Sequence, residues 1–385
     1  MTNNKDKKVL NVPNLRFPEF TGEWMKCKFG EIATGFDYGM NAAAKPYDGQ
    51  NKYIRITDID EASSTYNNSS IVSPDGILSE NYVVNEGDIL LARTGASTGK
   101  SYLYRKSDGK LYYAGFLIRA NVAEHNPYFV FSQLHTHRYW RWVSIMSARS
   151  GQPGINSLEY ASFPIFTTTL KEENKISSLL SLIDERITTQ NKIIEDLKKL
   201  KSAISLKLLH SASWAQFKIK DIATIGRGRV ISSIEISQQK NPLYPVYSSQ
   251  TTNEGIMGYL DDFMFEGEYI SWTTDGANAG TVFYRNGKFN CTNVCGLIKL
   301  KKGFDTYCVS LILSEATRKY VSVNLANPKL MNNTMGEIQI HLPKLEEQKR
   351  ITIVFRKLQE LFEVHNNLLI RYSKQKQYLL SQMFI

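Results

Sequence analysis

The residues most suggestive of chemistry form a glycine-rich run, GASTGKS, at positions 95–101. A P-loop needs four residues between its two glycines, so that backbone N–H groups surround a phosphate. Here only three residues separate Gly95 from Gly99, and those N–H groups would be placed differently. The run instead predicts a turn after a strand, from which the Lys100 side chain is free to contact an anionic ligand.

Cysteine, a common metal ligand, is sparse in this chain. Cys291 and Cys295 have three residues between them, one more than the common zinc knuckle, and no second pair follows. We therefore expect buried thiols and no metal site. Four cysteines in 385 residues also predict neither a disulfide scaffold nor secretion, and favour a protein of the reducing cytoplasm.

Composition and charge narrow the class of protein. Apolar residues make up 42% and charged residues 22%, which is typical of globular domains. The chain has 47 basic and 37 acidic residues, a net charge of +10. Residues 93–149 alone hold nine basic and two acidic residues, a difference of +7. Such an excess attracts polyanions, most often nucleic acid, although a basic surface with scattered charge has the same composition.

An internal repeat organises the chain. Three pairs of segments match, at offsets of 190, 181 and 175: WMKCKFGEIAT at 24–34 with WAQFKIKDIAT at 214–224, GASTG at 95–99 with GANAG at 276–280, and EENKI at 172–176 with EQKRI at 347–351. The second copy is therefore about 15 residues shorter, as expected where loops diverge on a shared scaffold.

Each copy begins with a region of mixed secondary structure. Alternating and apolar runs predict strands at residues 53–56, 88–92, 267–272 and 296–300. Residues 128–143 and 305–320 are predicted to form corresponding helices. The fold class is therefore α+β (mixed α/β), with strands paired across long stretches of chain.

Each copy ends in a charged heptad segment, at residues 172–209 and 347–384. The apolar positions of the two segments coincide when 175 is added, and neither segment contains Gly or Pro. Each segment of 38 residues would span about 57 Å as a helix. We expect the two helices to pack antiparallel as a coiled coil about a pseudo-two-fold axis, with the mixed regions at opposite ends.

Two polar residues interrupt the heptad stripe at matching positions, Gln190 in the first segment and His365 in the second. We predict that they approach each other and fix the register of the helix pair, as a buried polar pair can. The alternative is that both face solvent where the stripe drifts.

Several motifs occur in a fixed order along the chain. They are PNLRFPEFTGEW at 13–24, YPVYSSQ at 244–250, GIMGY at 255–259, GTVFYR at 280–285 and LPKLEEQKRI at 342–351. In this order, in a duplicated chain, they resemble the specificity subunits of type I restriction–modification systems. The first copy departs from the family's Pro-Glu-Gln pattern, because Pro164 lies further upstream and Asn174 follows the two glutamates.

The resemblance implies four segments: a target-recognition domain at 1–165, a central spacer helix at 166–212, a second target-recognition domain at 213–343 and a distal spacer helix at 344–385. Each domain would recognise one half of a bipartite double-stranded DNA target. The helices would dock two methyltransferase subunits, and restriction/translocase subunits would complete the assembly. S-adenosylmethionine, ATP and Mg²⁺ would act in those partners, and this chain would be non-catalytic, with no cofactor of its own.

Direct readout of bases needs side chains with paired donors or acceptors, and most other contacts go to phosphates. Candidates in the first domain are Arg55, Arg93, Thr94, Ser97 and Lys100. Candidates in the second domain are Arg227, Arg229, Ser248, Ser249, Gln250, Thr273, Thr274 and Asn278. For each of these the alternative is a solvated loop side chain.

Two other functions stay open. A self-contained restriction or methylation enzyme would need motifs that this sequence lacks: residues 126–128, NPY, lack the second proline of the methyltransferase motif, and no glycine-rich cofactor fingerprint is present. A non-catalytic coiled-coil scaffold that binds only proteins would show no salt-dependent DNA binding.

Overall fold

The computed structural model describes residues 10–148, 153–322 and 327–385, and the chain divides into two compact units. The first unit comprises Met1–Asn191 and Asn367–Ile385, and the second comprises Lys192–Asn366. The boundaries between the units lie inside the two long helices. The division into four segments that the resemblance implied therefore stays a prediction.

The first unit contains short strands and helices followed by the start of a long helix. Its strands are β1 (Met25–Lys28), β2 (Thr34–Tyr38), β3 (Ala43–Pro46), β4 (Lys52–Ile54), β5 (Val72–Asp75), β6 (Asp88–Ala92), β7 (Ser101–Leu103), β8 (Leu111–Tyr113), β9 (Leu117–Asn121) and β10 (Pro164–Thr167). Its helices are α1 (Phe29–Ile32), α2 (Pro127–Gln133), α3 (His137–Ser147), α4 (Ser157–Ala161) and α5 (Leu170–Leu208), of which α5 continues into the second unit.

A four-stranded antiparallel sheet, in the order β2-β9-β6-β7, forms the centre of the first unit. All five residues of β6 are buried, because side chains alternate between two cores. Ile89 and Leu91 pack with residues of α2 and α3, whereas Leu90 and Ala92 pack on the opposite side with Ile54 of β4. The strand predicted at 88–92 is confirmed.

The single helix predicted at residues 128–143 is wrong, because the structure has two helices there. Asn126 caps α2 by accepting from the backbone N of Phe129 at 3.0 Å, with Pro127 in the first turn. Helix α2 ends at Gln133, and the hydroxyl of Thr136 then accepts from the backbone N of Tyr139 at 3.4 Å to begin α3. The N-cap residue Thr136, which lies inside the apolar pattern, therefore starts a second helix where the sequence predicted one continuous helix.

The second unit repeats the plan of the first. Its strands are β11 (Ala215–Lys218), β12 (Ala223–Arg227), β13 (Tyr244–Tyr247), β14 (Ile256–Leu260), β15 (Phe265–Glu266), β16 (Tyr269–Thr273), β17 (Val282–Arg285), β18 (Lys288–Cys291), β19 (Cys295–Leu300) and β20 (Gln339–Leu342). Its helices are α6 (Ile219–Ile222), α7 (Ser233–Ser237), α8 (Thr306–Ala316), α9 (Asn332–Glu337) and α10 (Leu345–Gln382), of which α10 ends in the first unit.

The sheet topology confirms that the sequence repeat is a structural repeat. The strand order β12-β19-β16-β17 corresponds to β2-β9-β6-β7, and the parallel pair β13–β18 corresponds to β4–β8. The glycine-rich turns also match. The backbone N of Gly95 donates to the carbonyl of Pro153, as Gly276 does to Pro328, both at 3.0 Å. The mixed α+β class predicted from the sequence is confirmed.

The apolar stripes of the two long helices are buried within each unit. In the first unit, Leu180 of α5 shares a core with Met383 of α10. There Asp184 pairs with Lys376 at 2.7 Å and Arg186 donates to Tyr372 at 3.2 Å, so the helices run antiparallel. In the second unit, residues 204 and 208 of α5 pack against the core that contains residues 351 and 355 of α10.

No helix in the described part of the chain has both the length and the apolar character needed to cross a membrane.

The N-terminal motif is anchored to the first turn of α5 by a buried ion pair. The guanidinium of Arg16 donates to both carboxylate oxygens of Glu172, at 2.7 and 2.8 Å. Trp24 Nε1 and the hydroxyl of Thr168 also donate to Glu172, at 3.3 and 2.6 Å. Burial raises the pKa of Glu172, but these donors outweigh that effect and leave its pKa below the ordinary value.

The first unit should lose stability in mild acid because of His135. Burial and the charge of Lys376 lower the pKa of His135 to about 4, and its ring nitrogens bond the carbonyl of Phe131 and the hydroxyl of Ser64. The stabilisation of the fold by neutral His135 is therefore complete above the unfolded pKa of 6.5, and it declines as the pH falls towards about 4. We expect the melting temperature of His135→Gln to vary less over this range than that of the wild type.

The matched control for this pH dependence is His137→Gln, because His137 is exposed on the first turn of α3. That variant should keep the acid sensitivity of the wild type. A pH profile for His135→Gln that runs parallel to the wild-type profile would contradict the assignment.

Candidate nucleic-acid interface

In the first unit, an arginine stacked on a tyrosine lies where two sheet strands end. Tyr38 is the last residue of β2, and Arg93 follows β6. The guanidinium carbon of Arg93 lies 4.6 Å from the centroid of the Tyr38 ring. The Tyr38 hydroxyl accepts from the backbone N of Ser157 at 3.3 Å. The side chain of Ser157 lowers the pKa of Tyr38 most, and this backbone bond and the charge of Arg93 lower it further. Arg93 has no ion pair with a carboxylate among the described residues, so its charge is available to a ligand.

A cavity of about 590 Å³ lies beside this stacked pair. Its walls include Tyr38, Tyr53, Arg55, Arg93 and Phe116. Phe116 is 59% exposed, although most phenylalanines of this unit are buried. The surface thus combines aromatic faces with guanidinium groups, a combination suited to nucleic-acid bases and phosphates.

The other basic candidates of the first unit are already paired with carboxylates. Arg55 donates from Nε and Nη2 to the two oxygens of Asp58, both at 2.8 Å. Lys100 pairs with Glu61 at 3.2 Å, and 19% of its side chain is exposed. A phosphate would have to compete with these carboxylates, so Arg93 is the stronger candidate.

The glycine-rich turn uses its backbone donors inside the protein. The N–H groups of Gly95, Thr98, Gly99 and Lys100 donate to backbone carbonyls at 3.0 Å. These N–H groups do not form the phosphate cradle of a P-loop. The two polar candidates near this turn, Thr94 and Ser97, are half-buried.

In the second unit, two neighbouring arginines differ in their partners. Arg227 ends β12. Its Nε donates to the side-chain oxygen of Asn332 at 2.8 Å, and its Nη1 donates to the carbonyl of Asn293 at 3.4 Å. These acceptors are neutral, so they orient the guanidinium without cancelling its charge. Arg229 instead pairs with both carboxylate oxygens of Glu235. Arg227 is therefore the better candidate for a phosphate contact.

Two of the polar candidates in the second unit are buried. Thr273 and Thr274 are 1% and 2% exposed. The Thr273 hydroxyl donates to the carbonyl of Asn278, and the Thr274 hydroxyl donates to that of Val294 at 2.9 Å. Their side chains could meet DNA only by breaking these bonds. Asn278 itself is exposed at the tip of the turn.

Ser248, Ser249 and Gln250 are half-buried and begin a loop after β13. The side-chain nitrogen of Gln250 donates to the carbonyl of Ile256. A bidentate contact to adenine needs both the amide nitrogen and the amide oxygen, so the bond to Ile256 would have to break. As the side chain is placed, its oxygen is the group that can face a ligand.

Each unit has one available guanidinium on its four-stranded sheet, but the two arginines lie on strands that do not correspond. Arg93 and Thr274 are equivalent, since their carbonyls accept from Ile155 and Leu330, both at 2.9 Å. In the first unit the available arginine, Arg93, therefore follows β6. In the second unit the available arginine, Arg227, ends β12, which is the counterpart of β2. Arg93 and Arg227 are therefore not equivalent residues, and alignment of the two copies alone does not identify Arg227 as the second available guanidinium.

Three functional candidates were not predicted from the sequence: Tyr38 and Phe116, which are exposed in the first unit, and Arg285, which is buried in the second. Phe116 follows a glycine in a turn, which is a signal that could have identified it as an exposed aromatic residue. Arg285 is the last residue of the GTVFYR motif, and the local sequence gives no signal that its side chain is buried. Tyr38 carries no local signal, because its importance comes from Arg93, which is 55 residues further along the chain (93 − 38).

Three further expectations concern cysteines, metals and helix register. All four cysteines are free, and Cys291, Cys295 and Cys308 are buried. No group of three or more acidic, histidine or cysteine side chains that could hold a metal occurs among residues 10–148, 153–322 and 327–385. Gln190 belongs to the first unit and His365 to the second, and their approach stays a prediction.

Comparison with known proteins places the chain in a family. Residues 212–373 match the family model described as the type I restriction modification DNA specificity domain. A putative type I specificity subunit of Mycoplasma pneumoniae is 37% identical over 205 residues, which cover 52% of this chain and 85% of that protein. This chain belongs to the type I specificity subunits. The resemblance inferred from the motifs is therefore confirmed.

Other type I specificity subunits agree with this assignment. A second Mycoplasma pneumoniae sequence, described as the N-terminus of such a subunit, is 43% identical over 143 residues, 36% of this chain and 74% of its own length. The crystal structure of the S subunit from M. genitalium has a TM-score of 0.70 at 16% identity and covers 97% of this chain and 99% of that one. At that identity the structural likeness supports the fold alone.

Proposed function

We propose that this type I specificity subunit recognises a bipartite double-stranded DNA sequence, with each unit contacting one half. The observation that carries the proposal is the repeated sheet with an available guanidinium at the end of one strand in each unit, Arg93 after β6 in the first and Arg227 at the end of β12 in the second. A net charge of +10 supports a polyanionic partner.

The proposed partners are two methyltransferase subunits and restriction/translocase subunits. A solved structure concerned with complex assembly of a type I restriction–modification system covers 94% of this chain with a TM-score of 0.52. In this proposal the partners supply S-adenosylmethionine, ATP and Mg²⁺ chemistry, and this chain is a non-catalytic, cytoplasmic recognition subunit. The engaged N–H groups of the glycine-rich turn are consistent with that role.

Salt-dependent DNA binding tests the proposal. Each phosphate contact contributes about 0.9 to the slope of log K against log salt. Because Arg93 and Arg227 have no carboxylate partner among the described residues, replacing either with alanine should reduce the slope by about that amount. Binding should be measured by fluorescence anisotropy, with the chain assembled with its methyltransferase partner.

Each arginine has a paired control in its own unit. Lys100→Ala and Arg229→Ala should change the slope less, because Glu61 and Glu235 already neutralise these side chains. Equal effects of Arg93→Ala and Lys100→Ala would contradict the assignment of the contacts. Absence of any salt-dependent binding by the assembled wild type would instead reject DNA recognition and favour a protein-binding scaffold.

A further inference from the structure

Arg285 is a buried cation that has no ion pair among the described residues. It ends β17 and is 4% exposed. Its Nε donates to the hydroxyl of Ser271 at 2.9 Å, and its Nη2 donates to the carbonyl of Glu254 at 2.7 Å. The guanidinium carbon lies 3.6 Å from the Tyr247 ring centroid and 4.4 Å from that of Phe283. Three motifs noted in the sequence, at 244–250, 255–259 and 280–285, therefore meet around one side chain.

Burying a charge without a counter-ion is costly, and burial lowers the pKa of Arg285. A hydrophobic residue of similar size would fill the space between two aromatic rings without that cost. The guanidinium differs from such a residue in its donors, and one of them reaches the loop at residues 248–255. Two bonds distinguish an arginine here, one to Ser271 in the sheet and one to Glu254, and the second is the one that reaches the loop.

The loop that Arg285 contacts has a strained backbone. Asn253 and Glu254 both have left-handed conformations, with φ of 49° and 52°. Asparagine adopts this conformation more readily than other non-glycine residues, but a glutamate does so rarely, and such strain clusters at binding sites. A Cβ on Gly255 would lie 3.2 Å from Nη2 of Arg285, so the arginine is packed closely under the loop. Arg285 therefore holds the turn in its strained form.

The same loop orients Gln250. The backbone N of Ser248 donates to the carbonyl of Gly255 at 2.9 Å and closes the loop. The amide nitrogen of Gln250 donates to the carbonyl of Ile256, the residue directly after the segment that Arg285 holds. This bond fixes which end of the amide is engaged inside the protein. No donor among the described residues reaches the amide oxygen, which is left as an acceptor.

We propose that Arg285 is a positioning residue for DNA readout, which holds the loop at residues 248–255 so that Gln250 accepts a hydrogen bond from the exocyclic amino group of adenine or cytosine. This inference rests on the proposed function and adds the class of base that one position recognises. In the major groove, adenine and cytosine present amino donors, whereas guanine and thymine present oxygen acceptors at the corresponding place. A lone acceptor therefore selects A or C on one strand.

The experiment selects bound duplexes from a pool with randomised half-sites, using the chain assembled with its methyltransferase partner. We expect Gln250→Ala to reduce the preference for A or C at one position by about 3- to 10-fold, the effect of one hydrogen bond to an uncharged group. Arg285→Met should reduce the preference at that same position, and the double variant should lose no more. Arg285→Lys keeps the charge but not the forked donors, and it should resemble Arg285→Met.

The first unit supplies a matched control. Arg138 is also a largely buried guanidinium with no ion pair among the described residues, and it lies over Phe163 at 5.4 Å and Phe166 at 4.6 Å. Arg138→Met removes the same chemical group from a similar setting. We expect it to leave the preference at the Gln250-sensitive position unchanged, even where it lowers stability.

A base analogue gives a test that does not depend on the folding of any variant. Replacing the adenine or cytosine at that position with its analogue lacking the exocyclic amino group should weaken wild-type binding by the same factor of about 3 to 10. The analogue should cause no further loss for Gln250→Ala.

Three results would overturn the inference: a guanine or thymine preference at the Gln250-sensitive position, an amino-group analogue that binds wild type unimpaired, or Arg285 variants that weaken all sequences equally. In each of these results the wild type still binds DNA, so the proposed function survives. Failure of the wild type to bind DNA would reject both.

Discussion

Replacing Gly228 with alanine is expected to destabilise the second unit by about 3 kcal/mol, at the upper end of ordinary overpacking. An ideal Cβ at this position would lie 1.5 Å from the carbonyl oxygen of Cys291, and a backbone atom cannot move aside as a flexible side chain can. The contact lies between the residue after Arg227 and the end of β18. We therefore also expect loss of sequence preference in the half-site that this unit contacts.

Gly226 provides the control for this substitution. It is two residues away on the same segment, and a Cβ there has no atom within 4 Å. Denaturant unfolding should show a clear shift for Gly228→Ala and little change for Gly226→Ala. Similar midpoints for the two variants would mean that the close approach to Cys291 is not a constraint on this fold.

Replacing Glu172 with glutamine is expected to destabilise the first unit by about 3–5 kcal/mol, because it leaves the charge of Arg16 buried without its partner. The two side chains are 1% and 10% exposed. The pKa of Glu172 lies below its ordinary value of 4.5. The stabilisation of the fold by ionised Glu172 is therefore complete above pH 4.5 and is lost as the pH falls through the lowered pKa. Chemical denaturation at neutral pH measures the effect.

An exposed glutamate on the same helix is the control for Glu172. Glu195 pairs with Lys199 at 2.7 Å, but both side chains are more than 60% exposed. Glu195→Gln should therefore shift the denaturation midpoint far less than Glu172→Gln does, because solvent screens an exposed ion pair. Equal effects of the two substitutions would show that the pair with Arg16 is not a determinant of stability.

Sequence patterns predicted the features of this fold that depend on local periodicity. The heptad positions Ile176, Leu180 and Ile183 are buried as the stripe requires. The strand at 88–92 and the repeat were also predicted, because apolar spacing and matched segments are properties of the sequence itself. Strand order was not predicted, since the pairing of β2 with β9 joins residues at least 80 positions apart.

The candidate site could be predicted only in part. The sequence proposed polar and basic groups in loops after strands as candidates, but local sequence could not show which of these side chains are already paired inside the protein. Lys100 is paired with Glu61, 39 residues away, and Thr274 is bonded to Val294. Arg285 was overlooked because its partners come from two other segments of the chain. In each case a long-range contact determines which side chain can reach a ligand.

The most direct test of bipartite DNA recognition is to map methylated adenines in the DNA of cells that carry this chain with its methyltransferase and restriction partners. We predict a methylated motif with two specific blocks of bases, separated by a gap of fixed length and unspecified sequence. Gly228→Ala should weaken the base preference in one block and leave the other block unchanged. A single continuous motif, or a methylation pattern that does not change when this chain is removed, would contradict the account.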